Sequence, residues 1–216
     1  TSESFEMLPE ETTSSVTESI AGAITGYEYQ ITGKECFCFA DDTKIFEASD
    51  LIAEIQRRAV YSDDSTGEWE DFTDWDRLDF KEQNPAAVFE TWEENQFSAV
   101  ILTSVTDILP DGTESVQDLE TGSAYIAMRG NIDLNNTVNA STAANILVYV
   151  AEKGSGLNPS FNPEYDETTE KFAGFLADVN SDGDVNAADA ASILVYASIV
   201  GSQGSCDWKT EVFQNN

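Results

Sequence analysis

The sequence predicts an α+β chain in two parts: a small β-sheet plus helix in residues 1–124, then an all-α part of two loop–helix repeats in 125–216, with an inserted segment at 152–177. Three observations carry this reading. "GYEYQITGKECFCFADD" alternates apolar and polar residues like paired strands around Gly33. "FSAVILTSVTDILPDGTESV" supplies a buried strand and a turn at Pro110-Asp111-Gly112. Asn131 to Ala151 aligns with Asp178 to Ser198 at an offset of 47 residues, the two sharing V-N-A and then I-L-V-Y.

In the first part, Ala48, Leu51, Ile52, Ile55 and Ala59 recur at helical spacing after "DDT", which predicts a helix. A last strand, "SAYIAMRG", runs straight into the first repeat, and no Pro- or Ser-rich linker intervenes. The first part is therefore expected to pack rigidly and to act as structural support. The acidic-aromatic run "EWEDFTDWDRLDF" offers an alternative, a sugar-stacking surface built from Trp69, Trp75 and Trp92. Aromatic residues in a part this size more often belong to a core.

The second repeat opens with "DVNSDGDVNAAD". Asp178, Asn180 and Asp182 alternate, Gly183 permits a sharp turn, and Asp189 closes the run at its twelfth position, the oxygen-ligand order of an EF-hand-like calcium loop. The expected ligands are Asp178, Asn180, Asp182 and Asp189 through side-chain oxygens and Asp184 through its carbonyl. Asp in place of the usual closing Glu requires the following helix to lie closer to the ion. The bland alternative is an Asx-rich turn without metal. The first loop offers Asn131, Asp133, Asn135, the Thr137 carbonyl and Thr142. Asp133 is its only carboxylate, and a Thr hydroxyl cannot coordinate in bidentate fashion, so any calcium binding here is expected to be much weaker.

Asn139 and Asn186 stand where each following helix needs an N-cap. Ala143, Ile146, Leu147 and Val150 in one helix, and Ala190, Ile193, Leu194 and Ala197 in the other, form core stripes. The remaining faces lack charge: Ala190 to Val200 contains no charged residue in a chain of formal net charge -31. Either both helices are buried on all sides or their free faces form a partner site of small residues. The little chain around them favours the partner.

Composition excludes several classes of function. Asp plus Glu number 41 against 10 Lys plus Arg, a field that repels nucleic acid and anionic membranes and attracts cations. No apolar run reaches membrane-spanning length, and "TSESFEMLPE" lacks the features of a signal peptide and reads like the start of an excised piece of a longer chain. With no histidine, Ser-His-Asp and Cys-His catalysis and His-based zinc sites are ruled out. A carboxylate-pair glycosidase survives that test, but among so many acids any chosen pair is uninformative. Cys36, Cys38 and Cys206 are too few for a disulfide scaffold, and Cys36 and Cys38, two apart on a strand, are expected to be poorly placed to bond each other.

From Gly130 to Gly201 these motifs resemble a dockerin, the cellulosomal module of two calcium-loop-plus-helix repeats, most specifically in "DVNSDGDVNAADAASILVYAS". The whole chain is similar to the X-module-dockerin units of ruminococcal cellulosomes, through "CFCFADDTKIFEASDLIAEIQRRAVY" and "AYIAMRGNIDLNNTVN". The resemblance implies an X-module followed by a dockerin in a machinery for polysaccharide degradation. It implies a non-catalytic, extracellular adaptor, held on the bacterial surface by the cohesin module of an anchoring scaffoldin, with calcium as cofactor. It also implies that cohesin is met by Ala187, Ala188, Val195 and Ile199 in the second repeat and by Ala140, Ser141 and Val148 in the first. The likeness of the two sets allows two docking orientations. The inserted segment, with a helix at "DETTEKFAGFLA", makes the spacing longer than in ordinary dockerins. A calcium sensor that opens a groove for a peptide is the rival reading of the loops, disfavoured by the eroded first loop and the closing Asp.

Overall fold

A computed structural model describes residues 22–81 and 84–213; the opening stretch read above for a signal lies outside them. Strands β1 (Ile24–Gly33), β3 (Ile52–Tyr61) and β4 (Glu70–Asp71) form one antiparallel sheet in the order β1-β3-β4. Strands β2 (Glu35–Phe39), β5 (Leu78–Phe80), β6 (Ser98–Ile108) and β7 (Glu114–Ala127) form a second, in the order β2-β7-β6-β5, with β2 parallel to β7 and the other pairs antiparallel. Helices α1 (Ala48–Leu51) and α2 (Pro85–Thr91) lie among the strands, and α3 (Ala140–Gly154), α4 (Glu167–Ala177) and α5 (Ala187–Gln203) follow them.

This corrects the expected α+β division into a small sheet plus helix and a separate all-α part. The chain is a strand-rich mixed α/β protein with seven strands in two sheets among the described residues, and its helices complete their core on a sheet. Phe39 and Ala127, from β2 and β7, are buried in one cluster with Ile132, Ile146, Phe172, Leu176, Ile193 and Trp208. Phe37 and Phe39 project from one face of β2 against Phe172 and Phe175 of α4. Cys36 and Cys38, on the alternate positions, join the second cluster, where Cys38, Phe46, Leu51, Val88 and Ile126 are buried.

The predicted helix at 48–59 is one turn, α1, followed by β3. Opposite Thr32 and Gly33 of β1, β3 carries an extra residue, so Ile52 and Ile55 both face the core although they are three apart. A bulge thus imitates helical spacing. The pairing expected around Gly33 is also absent, because β1 and β2 belong to different sheets. The chain crosses between sheets at Gly33-Lys34, where Lys34 N donates to Leu51 O (2.8 Å) and Ser123 N donates to Lys34 O (2.9 Å). A Cβ on Gly122 would collide with the backbone oxygens of Lys34 and Leu51.

The two sheets are tied by one carboxylate. Asp107 of β6 is 2% exposed; it accepts from Arg57 Nη1 of β3 at 2.9 Å, from Arg77 Nη1 at 3.4 Å and from the Tyr29 hydroxyl of β1. Burial, then the bond to Asp107, holds the Tyr29 hydroxyl well above the usual tyrosine range. Asp107→Ala strands Arg57 and removes all three bonds. We expect it to lower stability by about 3 kcal/mol, read as a lower urea midpoint at an unchanged denaturant slope.

Candidate functional site

Each loop is shaped by its own polar side chains. In the second, Asp178 Oδ1 accepts from Asp182 N (3.1 Å) and Asp178 Oδ2 from Gly183 N (2.9 Å). Asn180 Oδ1 accepts from Asp182 N (2.9 Å), and Asp182 Oδ1 accepts from Asp184 N (3.0 Å). Ser181 and Gly183 take left-handed backbone angles, φ 60° and 91°. The first loop repeats the path with Leu134 and Asn136 at φ 49° and 57°, Asn135 N donating to Asn131 Oδ1 (3.1 Å) and Thr137 N to Asn135 Oδ1 (2.9 Å). Asn136 thus substitutes for the glycine, since Asn tolerates this conformation.

The twelfth position joins loop to helix. Asn139 and Asn186 cap α3 and α5, accepting from Ser141 N and Ala188 N at 2.7 Å each. In return Thr142 Oγ1 accepts from Asn139 N (3.2 Å) and Asp189 Oδ2 from Asn186 N (2.9 Å), two capping boxes in register. Asp189 Oδ1 also accepts from Asn180 N at 3.4 Å. Asp189 is fully buried, and that burial, ahead of the nearby charges of Asp178 and Asp182, pushes its carboxyl above the ordinary range.

The donors fit a hard cation, being all oxygen: the carboxylates of Asp178, Asp182 and Asp189, the Asn180 amide and the Asp184 carbonyl. A cation among them would relieve the charge that burial penalises. Among the described residues, no group of three or more His, Cys, Asp or Glu side chains is gathered closely enough to hold a metal ion. In the first loop Asn131 and Thr142 are buried but neutral, and Asp133, its one carboxylate, is exposed.

The expected partner residues lie on α3 and α5, which pack against each other. Ala140, Ser141, Val148, Ala187, Ala188 and Val195 are exposed and Ile199 is half-buried. Leu147 and Leu194, assigned above to core stripes, are corrected to the surface. They are 45% and 47% exposed beside Val148 at 57% and Val195 at 45%, whereas Ile146 and Ile193 are fully buried. Four consecutive apolar residues in I-L-V-Y cannot share one helix face, and that run was the signal for the leucines. The tyrosines are covered from outside the repeat: Tyr149 stacks on Phe161 of the insertion at 4.2 Å and Tyr196 on Trp208 at 4.3 Å.

The three tryptophans proposed above as a sugar surface are dispersed. Arg58 lies over the Trp69 ring at 4.6 Å, while Trp75 and Trp92 pack against different core clusters.

Arg129, which no motif singles out, connects the second loop to the sheets. It is 8% exposed and lies 3.7 Å over the Phe39 ring. Its Nε donates to Asp41 Oδ1 (3.1 Å), its Nη2 to Asp42 Oδ1 (3.5 Å), and its Nη1 to Val179 O (2.9 Å) and Ser181 Oγ (3.2 Å). The only sequence signal is a basic residue beside a loop motif in an acidic chain.

No family model matches this chain, and no curated protein matches it.

Arg129→Ala should cost about 3 kcal/mol, with faster amide exchange concentrated at Asn180 to Gly183. Arg129→Lys should recover only part of this, because an ammonium cannot reproduce the fork that reaches both sides. Exchange that rises uniformly over the chain would assign Arg129 to general stability instead.

Proposed function

We propose that this chain is a non-catalytic, calcium-stabilised adaptor of the dockerin kind that binds the cohesin module of a bacterial surface-anchoring scaffoldin outside the cell. The observation that carries the reading is the matched surface of α3 and α5. Leu147 and Val148 on one helix correspond to Leu194 and Val195 on the other, all exposed and each preceded by a capped loop. A charge-poor apolar face on a chain of net charge -31 is a surface suited to another protein.

Calcium would be held by Asp178, Asn180, Asp182, Asp189 and the Asp184 carbonyl, with Asn131, Asp133, Asn135, Thr137 and Thr142 as the weaker set. It supplies positive charge to the second loop. The chain's own residues do the rest: Asn186 and Asp189 fix where α5 starts, and Ile193 and Ile146 seat both helices in the shared core. Ala140, Ser141, Ala187 and Ala188 flank the exposed leucines and valines and are small enough to let a partner backbone approach, and half-buried Ile199 adds apolar surface beside them. Among the described residues no helix is long and apolar enough to cross a membrane, and eight of the basic side chains, among them Arg57, Arg58, Arg77 and Arg129, are engaged by acids. Both fit a protein partner better than a nucleic acid or a bilayer.

Two measurements test this. Calcium at a thousandfold excess over its dissociation constant should stabilise the fold by about 4 kcal/mol, and Asp178→Ala should abolish that gain in thermal unfolding. Titration calorimetry against an anchoring-type cohesin should give tight binding in calcium and none in chelator. Val195→Asp combined with Val148→Asp should weaken binding at least about a hundredfold through buried unpaired charge. Unchanged affinity after verified metal loss would overturn the role of calcium, and absence of binding in calcium would overturn the adaptor.

A further inference from the structure

The face of β2 opposite the aromatic core presents two sulfurs to one small cavity. Cys36 Sγ and Cys38 Sγ lie 3.5 Å apart, unbridged. They line a cavity of about 150 Å³ with Asp42, Lys44, Phe46 and Asp50. Cys36 is half-buried and Cys38 buried, so one sulfur is reachable and the other sits behind it. Spacing alone predicts poor placement: residues two apart on a strand have Cα atoms about 6.6 Å apart, at the long end of what a disulfide spans. The side chains nonetheless bring the sulfurs into contact. Strand β2 is five residues long and lies at a sheet edge, paired among the described residues only with β7, so it can tighten locally without breaking a second ladder.

We propose that Cys36 and Cys38 are a vicinal dithiol site that undergoes exchange with small-molecule disulfides and closes to an intramolecular Cys36–Cys38 bridge. The Cys36 thiolate attacks one sulfur of R–S–S–R. A Cys36–SR bond forms as the S–S bond breaks, and RS⁻ leaves and collects the proton that Cys36 lost. Cys38 then gives up its proton and attacks Cys36 Sγ, the Cys36–SR bond breaks, and a second RSH departs. Two protein thiols are oxidised to one disulfide, and the small disulfide is reduced to two thiols.

The surroundings agree with this division of labour. The contact with Cys38 holds the Cys36 thiol below the ordinary range, whereas Cys38, contacted by Cys36 and buried, is held above it. Burial and the Asp50 carboxylate oppose a Cys36 thiolate, and Lys44, paired with Asp50, offsets part of that. Because Cys36 is the reachable sulfur and Cys38 is buried behind it, Cys36 is the attacking sulfur and Cys38 the resolving one. This inference does not depend on the proposed docking function.

The test uses the full chain with Cys206→Ser, so that only the pair reacts, and dithionitrobenzoate as the small disulfide. Two coloured thiols should be released per chain, and the product should retain no adduct and weigh about 2 Da less than the reduced chain, two hydrogens having been lost. With Cys38→Ser added, one thiol should be released and one adduct retained at Cys36. With Cys36→Ser instead, reaction should slow at least about tenfold, because the remaining thiol is buried and protonated. Peptide mapping of the otherwise unsubstituted chain locates the bridge whether or not the serine variants fold. Adducts retained by the two-cysteine protein, or thiols that react only after denaturation, would overturn the proposal.

Discussion

A guanidinium enclosed at the junction of the sheets and the helices is the constraint on which the arrangement depends. Arg129 follows the end of β7 and precedes the first loop, yet its bonds go to Asp41 and Asp42 after β2 and to Val179 and Ser181 in the second loop. A charge this buried is tolerable only when every donor has an acceptor and the geometry is fixed from several sides. Each segment therefore holds the others in place. Lys209 Nζ closes the ring by donating to Asp41 O at 2.7 Å, and Thr168 Oγ1 of α4 donates to Glu35 Oε1 of β2 at 2.8 Å. The second loop is thereby built against the sheets, and the sheet-bearing part acts as its wall.

That wall explains how so acidic a chain folds compactly. The few bases are placed where carboxylates would otherwise be buried or crowded: Arg57 and Arg77 at Asp107, Arg129 at Asp41 and Asp42. Among the described residues no buried side-chain polar atom lacks a partner. The excess negative charge is left on the outside, where it opposes self-association everywhere except on the uncharged faces of α3 and α5.

Local chemistry was legible in the sequence wherever it alone decides the structure. Asn139, Asn186 and the turn at Pro110 to Gly112 act through bonds within a few residues, and the pattern predicted each of them. Where a distant partner decides, the pattern misled. Ile52 and Ile55 read as one helix face because a bulge against β1 rephases the strand, and β2 read as the partner of β1 because its true neighbour, β7, lies nearly ninety residues on. Arg129 was illegible for the same reason, its partners being up to 88 positions away. Leu147 and Leu194 were misassigned because three adjacent apolar residues satisfy both a core stripe and a surface stripe, and only packing chooses between them.

At their twelfth position the two loops differ in one atom group with a large consequence. Position twelve accepts the cap's N–H in both repeats, so Thr142 and Asp189 do the same mechanical work at the start of α3 and α5. The hydroxyl of Thr142 is neutral, so the first loop closes with its buried groups satisfied by hydrogen bonds alone. The carboxylate of Asp189 is ionisable, fully buried and close enough to Asp178 and Asp182 to feel both charges. The second loop can relieve that by keeping the proton or, as the proposed function requires, by admitting a cation. The erosion of the first loop is therefore compatible with an intact helix pair. Packing and capping orient α3 and α5 alike, and α5 receives part of its order from the Arg129 side of its own loop.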